Sequence, residues 1–401
     1  MKVLQINSVC GIGSTGRIAT DIHNILIEGG YQSYIGYGRD NPKNCENSIK
    51  IGNKKDIYFH LFLSRIFDKH GFGSSSATHK FINDIKNINP DVIHLHNIHG
   101  YYLNIQILFE FLKEFNKPVI WTLHDCWSFT GHCAYFDYIG CDKWKDLCYK
   151  CPAKKAYPSS LMIDNSKENY LNKKQIFNGL KNLTIITPSE WLAEKVQNSF
   201  LGHYPIQVIN NGVDVNVFKP SNGNIRERFG LKDKFIILGV ASIWDRRKGL
   251  QYFKDLSVRL DANELILLVG LSDEQVKDLP NNIISIPKTN NIEELAEIYS
   301  CADVFVNPTL EDNFPTTNLE SLACGTPVIT FNTGGSVESV DHGKTGFIVE
   351  KGNVNELLDY IRLIKQKSKS YFFENATNSA KSKYDKRKKY KEYEKLYISM
   401  T

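Results

Sequence analysis

Short apolar runs alternate with amphipathic stretches along most of the chain. Several of these runs, among them Val119–Leu123 and Phe235–Val240, are apolar on both faces, which is typical of buried parallel strands. Strands that alternate with amphipathic segments indicate β-α-β layering. The pattern therefore predicts an α/β protein with parallel sheets. The predicted strands are Val3–Ile6, Tyr34–Tyr37, Val92–Leu95, Val119–Leu123, Thr184–Thr187, Gln207–Ile209, Phe235–Val240, Leu265–Val269, Ile283–Ile286, Val304–Asn307, Val328–Phe331 and Phe347–Val349.

The length of 401 residues suits two domains of ordinary size. A polar stretch, Pro220–Lys234, lies between two sets of predicted strands, and we place the domain change shortly before it, near Pro205. The predicted domains are 1–205, with a Cys-rich insertion at 126–158, and 206–370. They are followed by a terminal segment, 371–401, that is rich in lysine and tyrosine.

Composition narrows the class of protein. The chain is 42% hydrophobic and 23% charged, as soluble globular proteins are. Its net charge of +5 is too small to indicate a nucleic-acid partner. The longest apolar run, Phe235–Ile243, is too short to span a bilayer, and the first residues lack a signal-peptide core. We expect a cytoplasmic protein with reduced thiols.

The most informative segment runs from Asn307 to Thr330. Two of its carboxylates, Asp312 and Glu320, flank a predicted helix start near Pro315, and Gly325–Pro327 ends that helix. Amides at a helix start can hold an anion, and a carboxylate beside them can bind hydroxyl groups. The pattern suits a nucleotide with a ribose and a diphosphate, although an ordinary helix–strand unit is the alternative.

A second charged segment follows the strand Phe235–Val240. Arg246, Arg247 and Lys248 lie where this strand ends and a helix begins. Cations at the carboxyl end of a parallel strand can neutralise a diphosphate. A solvated basic helix start is the alternative interpretation.

Two further candidate binding features, a glycine loop and a histidine, follow predicted strands in the first half of the chain. The Gly11–Gly16 loop fits the dinucleotide fingerprint poorly, because Ser8–Cys10 separates it from the strand and no acidic residue ends the next strand. We interpret Gly13 and Gly16 as parts of a flexible loop that touches phosphate or acceptor, with a purely structural turn as the alternative. His124, which follows Val119–Leu123, is a candidate ligand contact.

Five of the nine cysteines fall within the insertion or at its start. Four of them could form a tetrahedral zinc site that holds the loop together, with free thiols in local packing as an equal alternative. These four are Cys133, Cys141, Cys148 and Cys151.

The segment from Asn307 to Thr330 resembles the donor-site signature of family 4 retaining glycosyltransferases, in which two acids are separated by seven residues. Thr187–Val196, Val208–Pro220 and Asn332–Glu338 resemble further segments of that family, in the same order. The resemblance implies the GT-B fold: two Rossmann-like domains whose parallel sheets face an interdomain cleft. It also implies a donor site in the second domain, an acceptor site in the first, and a last helix that crosses back to the first.

The resemblance also assigns roles to residues. Glu320 would bind the ribose hydroxyls, and Asp312, where the family usually has glutamate, would face the transferred sugar. The neighbouring Glu311 is the alternative working acid. Lys248 matches the family's lysine, and Arg247 would replace an arginine that has no direct counterpart. The remaining implied contacts are the amides of Asn313 and Phe314 and the side chain of His124, which would touch the donor sugar.

The implied reaction is transfer of a hexosyl group from a UDP- or GDP-sugar with retention of configuration, and it requires no cofactor. Trp121–Cys133 also resembles enzymes of bacterial exopolysaccharide and O-antigen assembly, including the colanic-acid type. A lipid-diphosphate-linked acceptor would follow, with peripheral contact at the inner face of the cytoplasmic membrane. The alternatives are a sugar-nucleotide epimerase of the same fold, a nicotinamide oxidoreductase and a non-catalytic binding module.

Overall fold

The computed structural model describes residues 1–401, which divide into two compact units. The first consists of Met1–Asn210 with Lys389–Thr401, and the second of Asn211–Lys388. Each unit is built on one parallel sheet, which confirms the predicted α/β class.

The first unit has a seven-stranded sheet in the order β3-β2-β1-β4-β5-β6-β7. Its strands are β1 (Lys2–Asn7), β2 (Gln32–Tyr37), β3 (Ser48–Lys50), β4 (Val92–Leu95), β5 (Val119–Thr122), β6 (Leu183–Thr187) and β7 (Ile206–Val208). Its helices are α1 (Gly13–Glu28), α2 (Lys54–Phe67), α3 (Ser75–Ile88), α4 (Ile105–Phe115), α5 (Ser166–Phe177) and α6 (Glu190–Gln197), together with most of α14 (Lys386–Met400).

The second unit has a six-stranded sheet in the order β10-β9-β8-β11-β12-β13. Its strands are β8 (Phe235–Val240), β9 (Glu264–Val269), β10 (Ile283–Ile286), β11 (Val304–Asn307), β12 (Val328–Phe331) and β13 (Gly346–Val349). Its helices are α7 (Ile225–Arg228), α8 (Leu250–Ser257), α9 (Asp273–Val276), α10 (Ile292–Cys301), α11 (Thr316–Ala323), α12 (Val354–Lys367) and α13 (Ser370–Lys383).

Two details of the first sheet differ from the sequence-based prediction. β7, which a domain limit at 205 assigns to the second domain, pairs with β6 in the first sheet. The apolar pattern of a three-residue strand does not identify its partner. β3 was not predicted, because Ser48–Lys50 is a short edge strand with a single apolar residue.

The terminal segment contains two helices, α13 and α14, rather than one. Apolar packing explains why α14 lies against the first sheet. Tyr390, Tyr393 and Tyr397 of α14 are buried against one face of the first sheet. The Tyr397 hydroxyl hydrogen bonds His94 Nδ1 at 2.6 Å, and the Tyr393 hydroxyl lies 3.1 Å from Thr122 Oγ1. The tyrosines therefore anchor this helix through both apolar packing and buried hydrogen bonds.

Candidate active site

The two charged segments of the second unit meet at one point of its sheet. β8 and β11 are neighbours, and the strand order reverses between them. Ligands of open parallel sheets bind outside the carboxyl ends of the strands at such a switch point. The loop after β8 carries Arg247 and Lys248, and the loop after β11 carries Asp312. The topology therefore brings together residues that lie about 60 positions apart in the sequence.

The cation loop has a fixed shape. Arg246–Lys248 form a short 3-10 helix, and the Asp245 side chain caps it by accepting a hydrogen bond from the Lys248 amide at 3.0 Å. Gly249 follows at φ +78°, in the left-handed region, and a side chain there would collide with the carbonyl of Pro308. Glycine at this position lets the two loops approach closely.

Asp312 joins the two loops electrostatically. Lys248 Nζ donates to Asp312 Oδ2 at 2.6 Å, and Arg247 Nη1 lies 3.7 Å from the same oxygen. Arg247 Nη1 also donates to the carbonyl of Glu311 at 2.6 Å. Burial opposes ionisation of Asp312, but the attraction of Lys248 and Arg247 outweighs it, so the pKa of Asp312 is lowered. The site therefore holds a carboxylate and two cations in mutual contact.

The residues next to Asp312 make other contacts within the second unit. The Asn313 amide hydrogen bonds the Asp312 carboxylate, so that amide already has a partner within the loop. Phe314 packs in the core against Tyr384, and its carbonyl accepts from Asn211 Nδ2 at 2.9 Å. Glu311 is fully buried. The carboxylate that meets Lys248 is thus that of Asp312, the acid in register with Glu320.

Glu320 lies on α11, whose N-cap is Pro315 and whose last residues lead into Gly325 at φ +74°. The Glu320 side chain is buried and accepts a hydrogen bond from the Tyr299 hydroxyl at 3.0 Å. Asn318, two residues earlier, bonds Asn307 and Ser339. Tyr299 and Asn318 could not be predicted as site residues from the sequence, because their contacts depend on α10 and on the segment after β12.

In the first unit, the glycine loop lies at the corresponding switch point, between β1 and β4. α1 begins at Gly13, which has φ +64°, and the Gly11 amide donates to the Gly16 carbonyl at 3.1 Å. The loop is thus a closed turn at the start of a 16-residue helix. Both alternatives for Gly13 and Gly16, ligand contact and structural turn, fit this geometry.

A chain of hydrogen bonds orients His124. Gln5 Nε2 donates to the Ala19 carbonyl, which turns Gln5 Oε1 toward His96 Nε2 at 3.0 Å. Burial keeps the pKa of His96 well below its ordinary value, so neutral His96 donates to Gln5 through Nε2 and accepts from His124 Nε2 at 3.0 Å. Burial also lowers the pKa of His124 to about 4. His124 is therefore a neutral imidazole that donates to His96 through Nε2 and carries no proton on Nδ1.

His99 and Asp125 form a second polar pair beside this chain. His99 Nε2 lies 2.9 Å from Asp125 Oδ2, and His99 Nδ1 lies 3.0 Å from the Tyr157 hydroxyl. Asp125 also accepts from the Trp127 amide at 2.9 Å. Burial opposes ionisation of Asp125, but His99 and that amide outweigh it and lower its pKa. The pair fixes the start of the Cys-rich insertion to the loop after β4.

The insertion is anchored by buried polar contacts as well. Lys173 Nζ donates to the carbonyls of Trp127 and Thr130 at 2.7 and 3.1 Å and lies 3.4 Å from the centre of the Trp127 ring. Burial lowers the pKa of Lys173 to about 7. His132 pairs with the buried Asp68. These contacts attach the insertion to α5 and to the end of α2.

The four candidate zinc ligands line one small cavity, and all are free thiols. Cys133 hydrogen bonds Cys151. No group of three or more His, Cys, Asp or Glu side chains in residues 1–401 is placed to hold a metal ion. The side chains as placed therefore do not form a ready zinc site, and the zinc site stays a prediction.

Metal analysis of the purified protein tests that prediction. A zinc site built from four cysteines requires about one equivalent of zinc per chain, because such structural sites bind tightly. Less than about half an equivalent rejects it. A Cys141→Ser/Cys148→Ser variant is the control, since it should lose the metal if these thiols are the ligands.

Two doubly wound parallel sheets, one of which brings two cations and a carboxylate to its switch point, define a protein of the nucleotide-binding α/β class. The comparisons with known proteins are more specific. The model described as "Glycosyltransferase Family 4" matches residues 17–217, half of the chain, and the one described as "Glycosyl transferases group 1" matches residues 234–366. The chain belongs to glycosyltransferase family 4, as the resemblance implied.

Individual relatives agree with this assignment. WcaC of Escherichia coli (strain K12), whose name assigns it to colanic acid biosynthesis as a glycosyl transferase, is 27% identical over 91% of this chain and 90% of its own. The Escherichia coli "UDP-Gal:alpha-D-GlcNAc-diphosphoundecaprenol alpha-1,3-galactosyltransferase" is 26% identical over 51% of this chain and 60% of its own. Anabaena Alr3699/HepE, solved in complex with UDP, superposes with a TM-score of 0.71 over both whole chains at 17% identity. The predicted GT-B fold is confirmed.

Proposed function

We propose that this enzyme transfers a hexosyl group from a UDP- or GDP-sugar to a glycan acceptor with retention of configuration. The observation that carries the proposal is the contact of Arg247 and Lys248 with Asp312 at the switch point of the second sheet. Two cations beside a carboxylate suit a ligand that combines a diphosphate with a polar sugar. The donor complexes of Alr3699/HepE, solved with UDP and with UDP-glucose, support a nucleotide-sugar donor.

In the proposed reaction the bond between the anomeric carbon and the diphosphate breaks, and negative charge develops on the leaving diphosphate. An acceptor hydroxyl bonds to the same face of that carbon and passes its proton to the departing diphosphate oxygen. Lys248 and Arg247 stabilise that charge together with the first amides of α11. Because these protein cations supply the charge, the proposal needs no catalytic metal. Asp312 keeps both cations in position and accepts hydrogen bonds from hydroxyls of the transferred sugar. Glu320 binds the ribose hydroxyls.

The proposed role of the first unit is to bind the acceptor. His124 contacts a hydroxyl of the bound sugar, and the Gly13–Gly16 turn contacts phosphate or acceptor. The name of the diphosphoundecaprenol galactosyltransferase supports an acceptor linked to a lipid diphosphate, and the name of WcaC supports a role in bacterial polysaccharide biosynthesis. Such an acceptor would place the enzyme in the cytoplasm, at the inner face of the membrane. No helix of the structure has the length and apolarity to cross a bilayer.

Nucleotide binding provides the first test. UDP or GDP at about one hundred times its dissociation constant adds about 2.7 kcal/mol to the stability of the folded state. We therefore expect one of them to raise the Tm by several degrees, and Lys248→Ala to remove most of the shift. If neither nucleotide changes the Tm, the proposal is wrong. A shift with NAD would instead favour the oxidoreductase alternative.

Turnover of the donor alone separates the transferase from an epimerase of the same fold. The transferase consumes a nucleotide sugar only when an acceptor is supplied, apart from slow hydrolysis, and it releases the nucleoside diphosphate. An epimerase converts the donor to an isomer without acceptor and without releasing the nucleotide. Chromatography of the donor after incubation with the enzyme distinguishes these products.

A further inference from the structure

Helix α2 exposes three large aromatic residues on one side and fully buries two polar residues on the other. Tyr58, Phe59 and Phe62 are 67%, 61% and 52% exposed, whereas the two fully buried residues of the helix are His60 and Ser64. A helix on the surface of a water-soluble protein normally has the opposite arrangement. The outward face of α2 is therefore suited to an apolar environment.

Buried hydrogen bonds fix this orientation. His60 Nδ1 lies 2.9 Å from Ser74 Oγ, and His60 Nε2 accepts from the Gly71 amide at 3.0 Å. Ser64 Oγ lies 3.2 Å from His70 Nδ1. Rotating the helix to bury its aromatic residues would break all three contacts and expose or orphan their polar groups. The buried hydrogen bonds thus hold α2 with its aromatic face exposed.

The loop that follows the insertion extends the same face. Leu161, Met162 and Ile163 are consecutive and exposed. Their backbone is attached to the end of α2, because the Leu161 amide donates to the Arg65 carbonyl at 2.7 Å and the Ile163 amide to the Ile66 carbonyl at 3.2 Å. We define the α2 surface by its exposed apolar side chains, which are Tyr58, Phe59, Phe62, Phe67, Leu161, Met162 and Ile163.

Cations border the α2 surface. Lys54 and Lys55 are exposed at the start of the helix, and Lys69 is exposed just after its end. Acidic residues at this surface are fewer. Asp56, which accepts from the Asn53 amide at 2.9 Å, and the exposed Asp164 after Ile163 are the two that reach solvent, because Asp68 is buried in its pair with His132. The apolar face therefore has a net positive rim.

We propose that the α2 surface docks this enzyme on an anionic lipid bilayer. Aromatic and aliphatic side chains that project between lysines are typical of elements that lie in the membrane interface. A second copy of the chain is a poorer partner, because a symmetric contact through this face would bring the two lysine rims together. The proposal rests on the proposed function, in which the acceptor carries a lipid diphosphate, and it names the surface that would reach that acceptor.

Co-sedimentation with vesicles tests the proposal. The full chain is mixed with vesicles of phosphatidylcholine alone or of phosphatidylcholine with phosphatidylglycerol. We expect the wild type to pellet with the anionic vesicles, more strongly at low salt. Phe59→Ser/Phe62→Ser should weaken that binding at least about tenfold, because binding scales with the apolar area inserted. Both residues are exposed, so the Tm of the variant should match that of the wild type.

Two control variants locate the surface. Val258→Ser/Ile292→Ser removes exposed apolar side chains of the second unit and should leave vesicle binding unchanged. Lys391→Glu/Lys395→Glu reverses charge on the exposed face of α14. If vesicle binding is lost in this variant but kept in Phe59→Ser/Phe62→Ser, the α2 proposal is overturned in favour of the terminal helix. Equal binding to both vesicle types overturns the anionic preference.

Light scattering and nucleotide binding complete the test. A dimer that Phe59→Ser/Phe62→Ser dissociates, with no binding to vesicles, would show that the α2 surface is a self-association face and would overturn the proposal. The Tm shift with UDP or GDP should be the same in wild type and variant. Absence of vesicle binding with a normal nucleotide shift therefore overturns this proposal alone, whereas absence of the nucleotide shift overturns the proposed function.

Discussion

Lys248→Ala is expected to lower kcat for sugar transfer by about 10²- to 10³-fold, the range found when one donor to a developing anion is removed. Lys248 Nζ contacts Asp312 Oδ2 at 2.6 Å, and in the proposed reaction it meets the leaving diphosphate. Because that charge develops in the transition state, kcat and kcat/KM should fall together. Initial rates of nucleoside diphosphate release measure both. Lys254→Ala, which removes a lysine of the following helix α8, is the matched control and should retain activity.

Near-normal turnover of Lys248→Ala would refute the site.

The pH dependence of the Tm provides a check that the variant acts through Asp312. The lowered pKa of Asp312 in the folded state contributes stability above its unfolded value of about 4, and this contribution is lost as the pH falls through the folded pKa. Removing Lys248 raises that pKa. The Tm difference between wild type and variant should therefore be present at pH 7 and shrink toward zero in acid.

Local patterns in the sequence predicted most of the sheets. Buried parallel strands are continuous apolar runs, so twelve strands could be placed from hydropathy alone, and a helix start at Pro315 followed from the special backbone of proline and glycine. The edge strand β3 and the sheet to which β7 belongs could not be predicted. Both depend on pairing between distant segments, which a short apolar run does not encode.

The residues of the candidate site could likewise be predicted only where the signal is local. The charged loops were recognisable because their residues are close in sequence and directly follow predicted strands. The orientation of His124 was not, because it depends on Gln5 and His96, which are 91 positions apart. The expected ligand contact of the Phe314 amide stays a prediction, and the packing of the Phe314 side chain in the core does not bear on it. The exposed aromatic face of α2 was not predicted, because hydropathy alone would place the apolar residues of a surface helix toward the core.

Glu320→Gln is expected to lower kcat/KM by about 10- to 100-fold, because hydrogen bonds to a charged group contribute about 1.5–3 kcal/mol. Glutamine retains an acceptor for the Tyr299 hydroxyl, which lies 3.0 Å from Glu320 Oε2. Glu320→Ala should abolish transfer, but it also removes that acceptor inside the core and should lower the Tm. The glutamine variant therefore separates the loss of charge from the loss of packing. Tyr299→Phe is the control for a purely structural effect.

Binding of 2′,3′-dideoxy nucleotides decides whether Glu320 meets the ribose. If it does, removing the ribose hydroxyls should weaken binding to the wild type but add little to the loss already caused by Glu320→Gln, because both changes delete the same contact. If the two losses add, Glu320 and the ribose are independent, and the ribose assignment is wrong. Glu320 would then act only by holding α11 against Tyr299. Calorimetric titration of wild type and variant with both nucleotides measures the coupling directly.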